Sequence, residues 1–159
     1  MGIDIYAVVG LQYGSEGKGL LAGYLAKKWK PDAIVTAWAP NAGHTFTDKE
    51  GNKFVSIALP SGLVSDSVSK VLLGPGSCID PVKLDDELGA LDRLSGGKVE
   101  LYIHEHAAVI EESHKIMASG YSYRVGGVMK GGGEALMAKM RREVDQKSMP
   151  IARERFKGT

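Results

Sequence analysis

The sequence predicts an α/β fold: a mostly parallel sheet with flanking helices, formed as a single domain over residues 1–159. Three observations carry this. Short apolar runs alternate along the chain with segments of helical period. The 21 glycines gather at 10–19, 74–76, 96–97 and 126–133, where such segments meet. Glycine clustered in this way marks tight turns and close backbone approach, not a flexible linker. Finally, the chain carries no internal repeat and no low-complexity segment.

The elements follow in order. "IDIYAVV" (3–9) reads as a buried strand. "KGLLAGYLAKKW" (18–29) reads as a helix with Leu20, Leu21, Tyr24 and Leu25 on one face, stopped by Pro31. "AIVTAW" (33–38) is a second strand, and 45–59 is a hairpin turning at "KEGNK". "KVLLG" (70–74) is a third buried strand, followed by the turn "GPGSCIDP". Asp80 suits an N-cap and Pro81 the first turn of a helix over 82–94. "KVELYIH" (98–104) is a fourth strand, with helices expected over 108–119 and 134–146. "SMPIARERFKGT" ends the chain as a polar, basic segment: a tail, or the point where a larger protein continues.

Composition narrows the function classes. Hydrophobic residues make up 43% and charged residues 25%, as in soluble globular proteins. Lys and Arg total 20 against 19 Asp and Glu, a net charge of +1. That balance gives no electrostatic case for nucleic acid or a membrane surface. A small anion remains open, because backbone amides and a lysine hold phosphate without net charge. One cysteine, Cys78, excludes an internal disulfide framework and fits a reducing compartment. No apolar run is of bilayer length and no basic leader precedes the first strand, so a cytoplasmic protein is expected.

Two stretches carry chemistry. "GLQYGSEGKG" (10–19) lies between the first strand and first helix. A Walker A loop reads G-x-x-x-x-G-K-[ST]. Here Gly17 and Lys18 fit its end, but Gln12 replaces the first glycine and Gly19 the hydroxyl residue. The amides of Ser15 to Gly19 would still open a helix whose dipole favours an anion, with Lys18 adding charge. The alternative is an ordinary strand–helix turn. "APNAGHTF" (39–46) follows the second strand. Asn41 donates and accepts, Gly43 admits close backbone approach, and His44 can stabilise an oxyanion or act as a general acid. Both loops leave the ends of predicted parallel strands, the ligand edge of open α/β sheets.

Together "GLQYGSEGKG" and "NAGHT" resemble the adenylosuccinate synthetase family, whose motifs read Q-W-G-D-E-G-K-G and N-A-G-H-T. "LPSGLV" (59–64), "LLGPGSCIDP" (72–81) and "VGGVMKGGGEALMAKMRR" (125–142) extend the resemblance over the chain, as the N-terminal part of that fold. The last segment is similar to the family's I-G-[ST]-T-G-[RK]-G-x-G-P-A, which binds a 5′-phosphate.

The resemblance implies a ligase that joins L-aspartate to carbon 6 of a purine nucleotide. The γ-phosphate of ATP (or dATP or GTP) moves to the 6-oxygen, and the aspartate amine then displaces it, with Mg²⁺ neutralising phosphate charge. It implies that Ser15, His44 and Lys18 form the catalytic set and that Ser15, Glu16, Gly17, Lys18, Gly19, Gly43, His44 and Thr45 surround the triphosphate. Ser15 and the Gly43 carbonyl fall at the metal. Ser15, Asn41, Val128 and Arg142 fall at the purine nucleotide, Arg142 by reaching into a neighbouring subunit, which implies a homodimer.

Ser15 departs from the pattern. The family's aspartate there takes the N1 proton and contacts the metal, and a serine hydroxyl is no effective base at neutral pH. Its smaller neutral side chain leaves room for the 2-amino group of guanine. Serine here resembles the phage branch of the family, the 2-aminoadenylosuccinate synthetases, which use dGMP; a phage-encoded chain would work in the host cytoplasm. Val128 stands where the family has a threonine at the 5′-phosphate and can offer only its amide. An IMP-using enzyme with a damaged base and a catalytically silent nucleotide-binding fragment are the alternatives.

His104 and His106, two apart on the expected strand and followed by His114, form a possible metal site. A polar strand end is the simpler reading.

Overall fold

Three parallel strands frame the computed structural model, which describes residues 2–12, 16–37, 39–40, 43–47, 51, 53–95, 99–125, 129–142 and 152. The strands β1 (Ala33–Thr36), β4 (Lys70–Leu73) and β6 (Glu100–Ile103) lie in the order β1–β4–β6. Ala33 pairs with Lys70, and Lys70 with Glu100. Alternation along β4 turns Val71 and Leu73 inward at 1% exposure each. They meet Leu59, Ile79, Leu84 and Val109 in the main core. Burying a side chain of this kind contributes about 1.5–3 kcal/mol.

The helix α1 (Lys18–Trp29) precedes β1, and the hairpin β2 (His44–Thr47) and β3 (Lys53–Ser56) follows it. His44 is paired with Ser56, and Gly51 takes the positive φ of 86° in the turn. A short 3₁₀ helix, Ser61–Val64, packs against α1 and β2. The helix α2 (Pro81–Ser95) starts as its sequence requires: the Asp80 carboxylate accepts from the Val82 amide at 3.1 Å.

A second parallel pair, β5 (Cys78–Ile79) with β7 (Ala108–Val109), corrects two expectations. The "GPGSCIDP" turn ends in a strand, and the helix expected from 108 starts later as α3 (Glu112–Val125). The Ala108 amide donates to the Ser77 carbonyl and the Ile110 amide to the Ile79 carbonyl, so the ladder outcompetes the helix for these buried residues. The helix α4 (Gly132–Arg141) packs on α3, β5 and β7, and residues 143–146 of the helix expected there lie outside the described residues. Gly131 has a φ of 74°, and a Cβ on it would sit 2.9 Å from the His114 backbone. Close contact between the starts of α3 and α4 therefore needs glycine.

Other expectations are also revised. Residues 3–9 form no strand, and Ile3 and Ile5 are 87% and 86% exposed. An apolar run becomes a strand only where a neighbour completes its hydrogen bonds. Here β1 stands at an edge of its sheet, and the run is instead held by Tyr6, stacked on Trp29 with ring centroids 4.3 Å apart. On α1 the buried residues are Gly19, Gly23 and Ala26, while Leu20, Leu21 and Tyr24 are exposed. The expected free tail touches the core at Ala152, which is buried and donates its amide to the Ala107 carbonyl at 2.9 Å.

The three histidines do not form a metal site. The strand ends at Ile103, and His104 Nδ1 accepts from the His106 amide within a turn. His114 is buried and its Nδ1 accepts from the Glu111 amide at 3.0 Å, while its own amide donates to the Glu111 carbonyl. That is half of a capping box, with histidine in the place of glutamate. Among the described residues, no cluster of His, Cys, Asp and Glu could hold a metal, and no helix is long and apolar enough to cross a membrane.

Candidate functional site

The site begins with the backbone of the Gly-rich loop. Gly17 takes a φ of 71°, a conformation that glycine adopts without strain, and turns the chain directly into α1. Gly17 supplies no side-chain cap, and the first turn of α1 contains no acid. The leading amides of a helix lie outside its own hydrogen-bond pattern, and the dipole makes this end attractive to an anion. Lys18, the first residue of the helix, brings an ammonium group to the same place.

The loop already folds around an anion of its own. The Glu16 carboxylate accepts from the Leu11 and Gln12 amides at 2.7 and 2.8 Å and pairs with the Lys18 ammonium. The hydrogen bond from Lys18 is the largest cause holding this carboxyl below its ordinary range. Gly10 is part of the arrangement, because a Cβ there would collide with Glu16 Oε2.

His44 reaches this helix start from the hairpin. A Cβ on Gly19 would lie 2.8 Å from His44 Cβ and 2.9 Å from its Nδ1, so the imidazole rests against bare backbone. One helical turn on, Gly23 makes the same kind of room for Phe46. The match is geometric. Four helical residues rise about 6 Å, and two strand residues about 6.8 Å, so Gly19 and Gly23 face His44 and Phe46 in register. The two sequence motifs thus meet. Burial, and then the charge of Lys18, push the His44 imidazole below its ordinary pKa, with Glu87 opposing. A neutral imidazole near pH 7 can donate a hydrogen bond from one nitrogen.

Other expected site residues are placed less closely. Thr45 is exposed and alternates to the other face of β2. Gly43 is exposed, with open space where a side chain would be. Arg142 ends α4 exposed, in a left-handed conformation with φ of 56°, on the part of the fold built from α3, β5 and β7. Ser15, Asn41 and Val128 lie outside the described residues.

Mg²⁺ takes hard oxygen ligands and is commonly held by few protein groups besides substrate phosphates. The carbonyl of Gly43, an exposed residue next in sequence to His44, is an oxygen of the kind required, and the phosphates would supply further oxygens. One residue escaped the reading of the motifs: Glu87, on α2, accepts from backbone amides just after the hairpin. Nothing in its sequence neighbourhood marks it.

The chain matches the adenylosuccinate synthetase family over residues 7–157. It is 45% identical, over 138 residues, to the N6-succino-2-amino-2'-deoxyadenylate synthase of Salmonella phage PMBT28, covering 87% of this chain and 37% of the phage protein. Among solved structures it is similar to Cyanophage S-2L succinoaminodeoxyadenylate synthetase bound to dGMP and dATP as an energy donor. There the TM-score is 0.80 and the identity 38%, covering 93% of this chain and 40% of that one. The fully ligated adenylosuccinate synthetase from Plasmodium falciparum shares the fold, with a TM-score of 0.70 at 24% identity over 84% of this chain and 32% of that one. The chain therefore spans well under half the length of these relatives.

Proposed function

The chain belongs to the adenylosuccinate synthetase family, and from that membership we propose that it is the N-terminal part of a ligase joining L-aspartate to carbon 6 of dGMP. On this reading residues 1–159 form a single domain holding the triphosphate end of the site, and the product is 2-amino-2'-deoxyadenylosuccinate. The observation that carries the proposal is the seating of His44 against the start of α1, beside Lys18. The dGMP preference draws on Ser15 and on the phage relatives, one of which is described with dGMP and dATP bound.

The chain's own groups divide the work. Lys18 and the amides opening α1 bind the phosphates of ATP or dATP, whose negative charge displaces Glu16 from the ammonium. Mg²⁺ at the Gly43 carbonyl would neutralise phosphate charge. The γ-phosphoryl group leaves the nucleoside diphosphate and passes to the 6-oxygen of guanine as the N1 proton departs to water or to the phosphates, and His44 donates a hydrogen bond to that oxygen as charge develops there. The aspartate nitrogen then bonds to carbon 6 and gives up a proton to solvent, the C6–O bond breaks, and inorganic phosphate leaves with the oxygen. Asn41 and the amide of Val128 hold the purine nucleotide. Arg142, exposed at the end of α4, reaches the site of a second subunit in a homodimer working in the cytoplasm, that of the host if the chain is phage-encoded.

Ser15 gives the test. Ser15→Asp restores a charge beside N1 and crowds the 2-amino group. A misplacement of about 1 Å can cost roughly 10²-fold in rate. Measured as kcat/KM on the full-length protein, Ser15→Asp should lower dGMP use markedly and shift preference towards IMP, with Ser15→Ala the milder change. An unchanged dGMP-to-IMP ratio in Ser15→Asp removes position 15 as the discriminator.

A further inference from the structure

Glu87 holds the end of the hairpin that presents His44. Its Oε1 accepts from the amides of Ile57 and Ala58 at 2.5 and 3.1 Å, and its Oε2 from those of Ala58 and Leu59 at 3.1 and 2.8 Å. Three consecutive amides converging on one carboxylate form a nest, and hydrogen bonds to an ionised acceptor are the strong ones. These amides follow β3 directly, outside its ladder with β2. Leu59, at their end, is fully buried in the core. Ser56, just before them, is also fully buried and is the ladder partner of His44. One carboxylate on α2 thereby fixes the strand end directly across from the imidazole.

We propose that Glu87 is a positioning residue for His44: its carboxylate clamps the amides of residues 57–59 and locks the β3 end against which His44 is paired. The proposal rests on the reading of His44 as the group that meets the 6-oxygen. Sequence motifs do not reveal this role, because Glu87 acts from a separate helix through backbone.

The packing around His44 supports it. The helix α1 receives the ring over the bare backbone of Gly19, and the ladder pairing with Ser56 sets where the strand carries it.

The test is amide hydrogen exchange in the 159-residue chain combined with kinetics of the full-length protein. Glu87→Gln keeps the shape, removes the charge and turns one acceptor into a donor aimed at amides. Exchange at Ile57, Ala58 and Leu59 should quicken by about tenfold or more, the scale of one lost charge-assisted hydrogen bond. Exchange at Val71 and Leu73 should stay slow, showing that the sheet is intact. In the full-length protein Glu87→Gln should lower kcat with the KM for dGMP nearly unchanged. Glu87→Asp keeps the charged acceptor but falls one methylene short, so both effects should be smaller. Unaltered 57–59 exchange, or quickened exchange with kcat unaltered, in a folded Glu87→Gln protein overturns the proposal. Exchange is read from the backbone itself, so its failure is separate from whether His44 acts on the 6-oxygen, which His44→Ala turnover decides.

Discussion

At the scale of the residue, His44 concentrates the chemistry that the chain can show. Its ring is placed by the absence of side chains at Gly19, and its proton affinity is lowered by burial and by Lys18. The lowered affinity has a consequence for stability. A base whose folded pKa lies below its unfolded value favours the fold while it is neutral, so this contribution is present above the ordinary histidine pKa. It is lost as pH falls through the folded value. For catalysis, removing one oxyanion-type donor typically costs 10²–10³ in kcat. His44→Ala in the full-length protein is therefore expected to lose about 10²–10³ in kcat with triphosphate binding nearly intact. Steady-state kinetics beside nucleotide titration measures both, and undiminished turnover removes His44 from the chemistry. The thiol of Cys78 takes no part: burial pushes it up to about 12, and it donates to the Gly132 carbonyl.

At the scale of the element, glycine decides how α1 meets the hairpin. Gly19 and Gly89 are both helical glycines, yet their surroundings differ. A Cβ on Gly19 runs into His44, and a Cβ on Gly89 meets nothing within 4 Å. Alanine in place of glycine favours a helix interior by about 1 kcal/mol. Gly89→Ala should raise the thermal midpoint by that measure. Gly19→Ala should lower it, because the imidazole or the helix must move. Two melting curves check the pair, and a stabilising Gly19→Ala would mean that the helix and His44 are not in contact. The same element shows how far sequence carries. The bounds of α1 follow from Gly17 and Pro31, and the helix lies where its period puts it. Which face is buried did not follow, because periodicity weighs apolar bulk. The contact here selects the small residues Gly19, Gly23 and Ala26, leaving room for His44 and Phe46. Likewise β5 and β7 are two residues each, too short to leave a period, and only their pairing makes them strands.

At the scale of the whole molecule, the parallel sheet was legible because "KVLLG" and "KVELYIH" are apolar runs between helices with clear stops, and β4 and β6 lie inside them. The meeting of the two motif-bearing stretches was legible in part: His44 does meet the start of α1, although residues 3–9, expected as the parallel strand before the first stretch, form no strand. The run at 3–9 was misread for lack of a partner, which no local pattern supplies. Glu87 was missed for a similar reason: its three amide partners become neighbours only once the fold brings α2 to the chain just after β3. The family likeness extends over nearly the whole chain but over well under half of each relative. The most direct measurement is therefore product analysis by mass spectrometry on the full-length protein, given dGMP, GMP or IMP together with L-aspartate, Mg²⁺ and ATP or dATP. The expected result is 2-amino-2'-deoxyadenylosuccinate from dGMP, with inorganic phosphate released in equal amount. Adenylosuccinate from IMP with dGMP left untouched, or triphosphate bound with no ligated product, would contradict dGMP ligation.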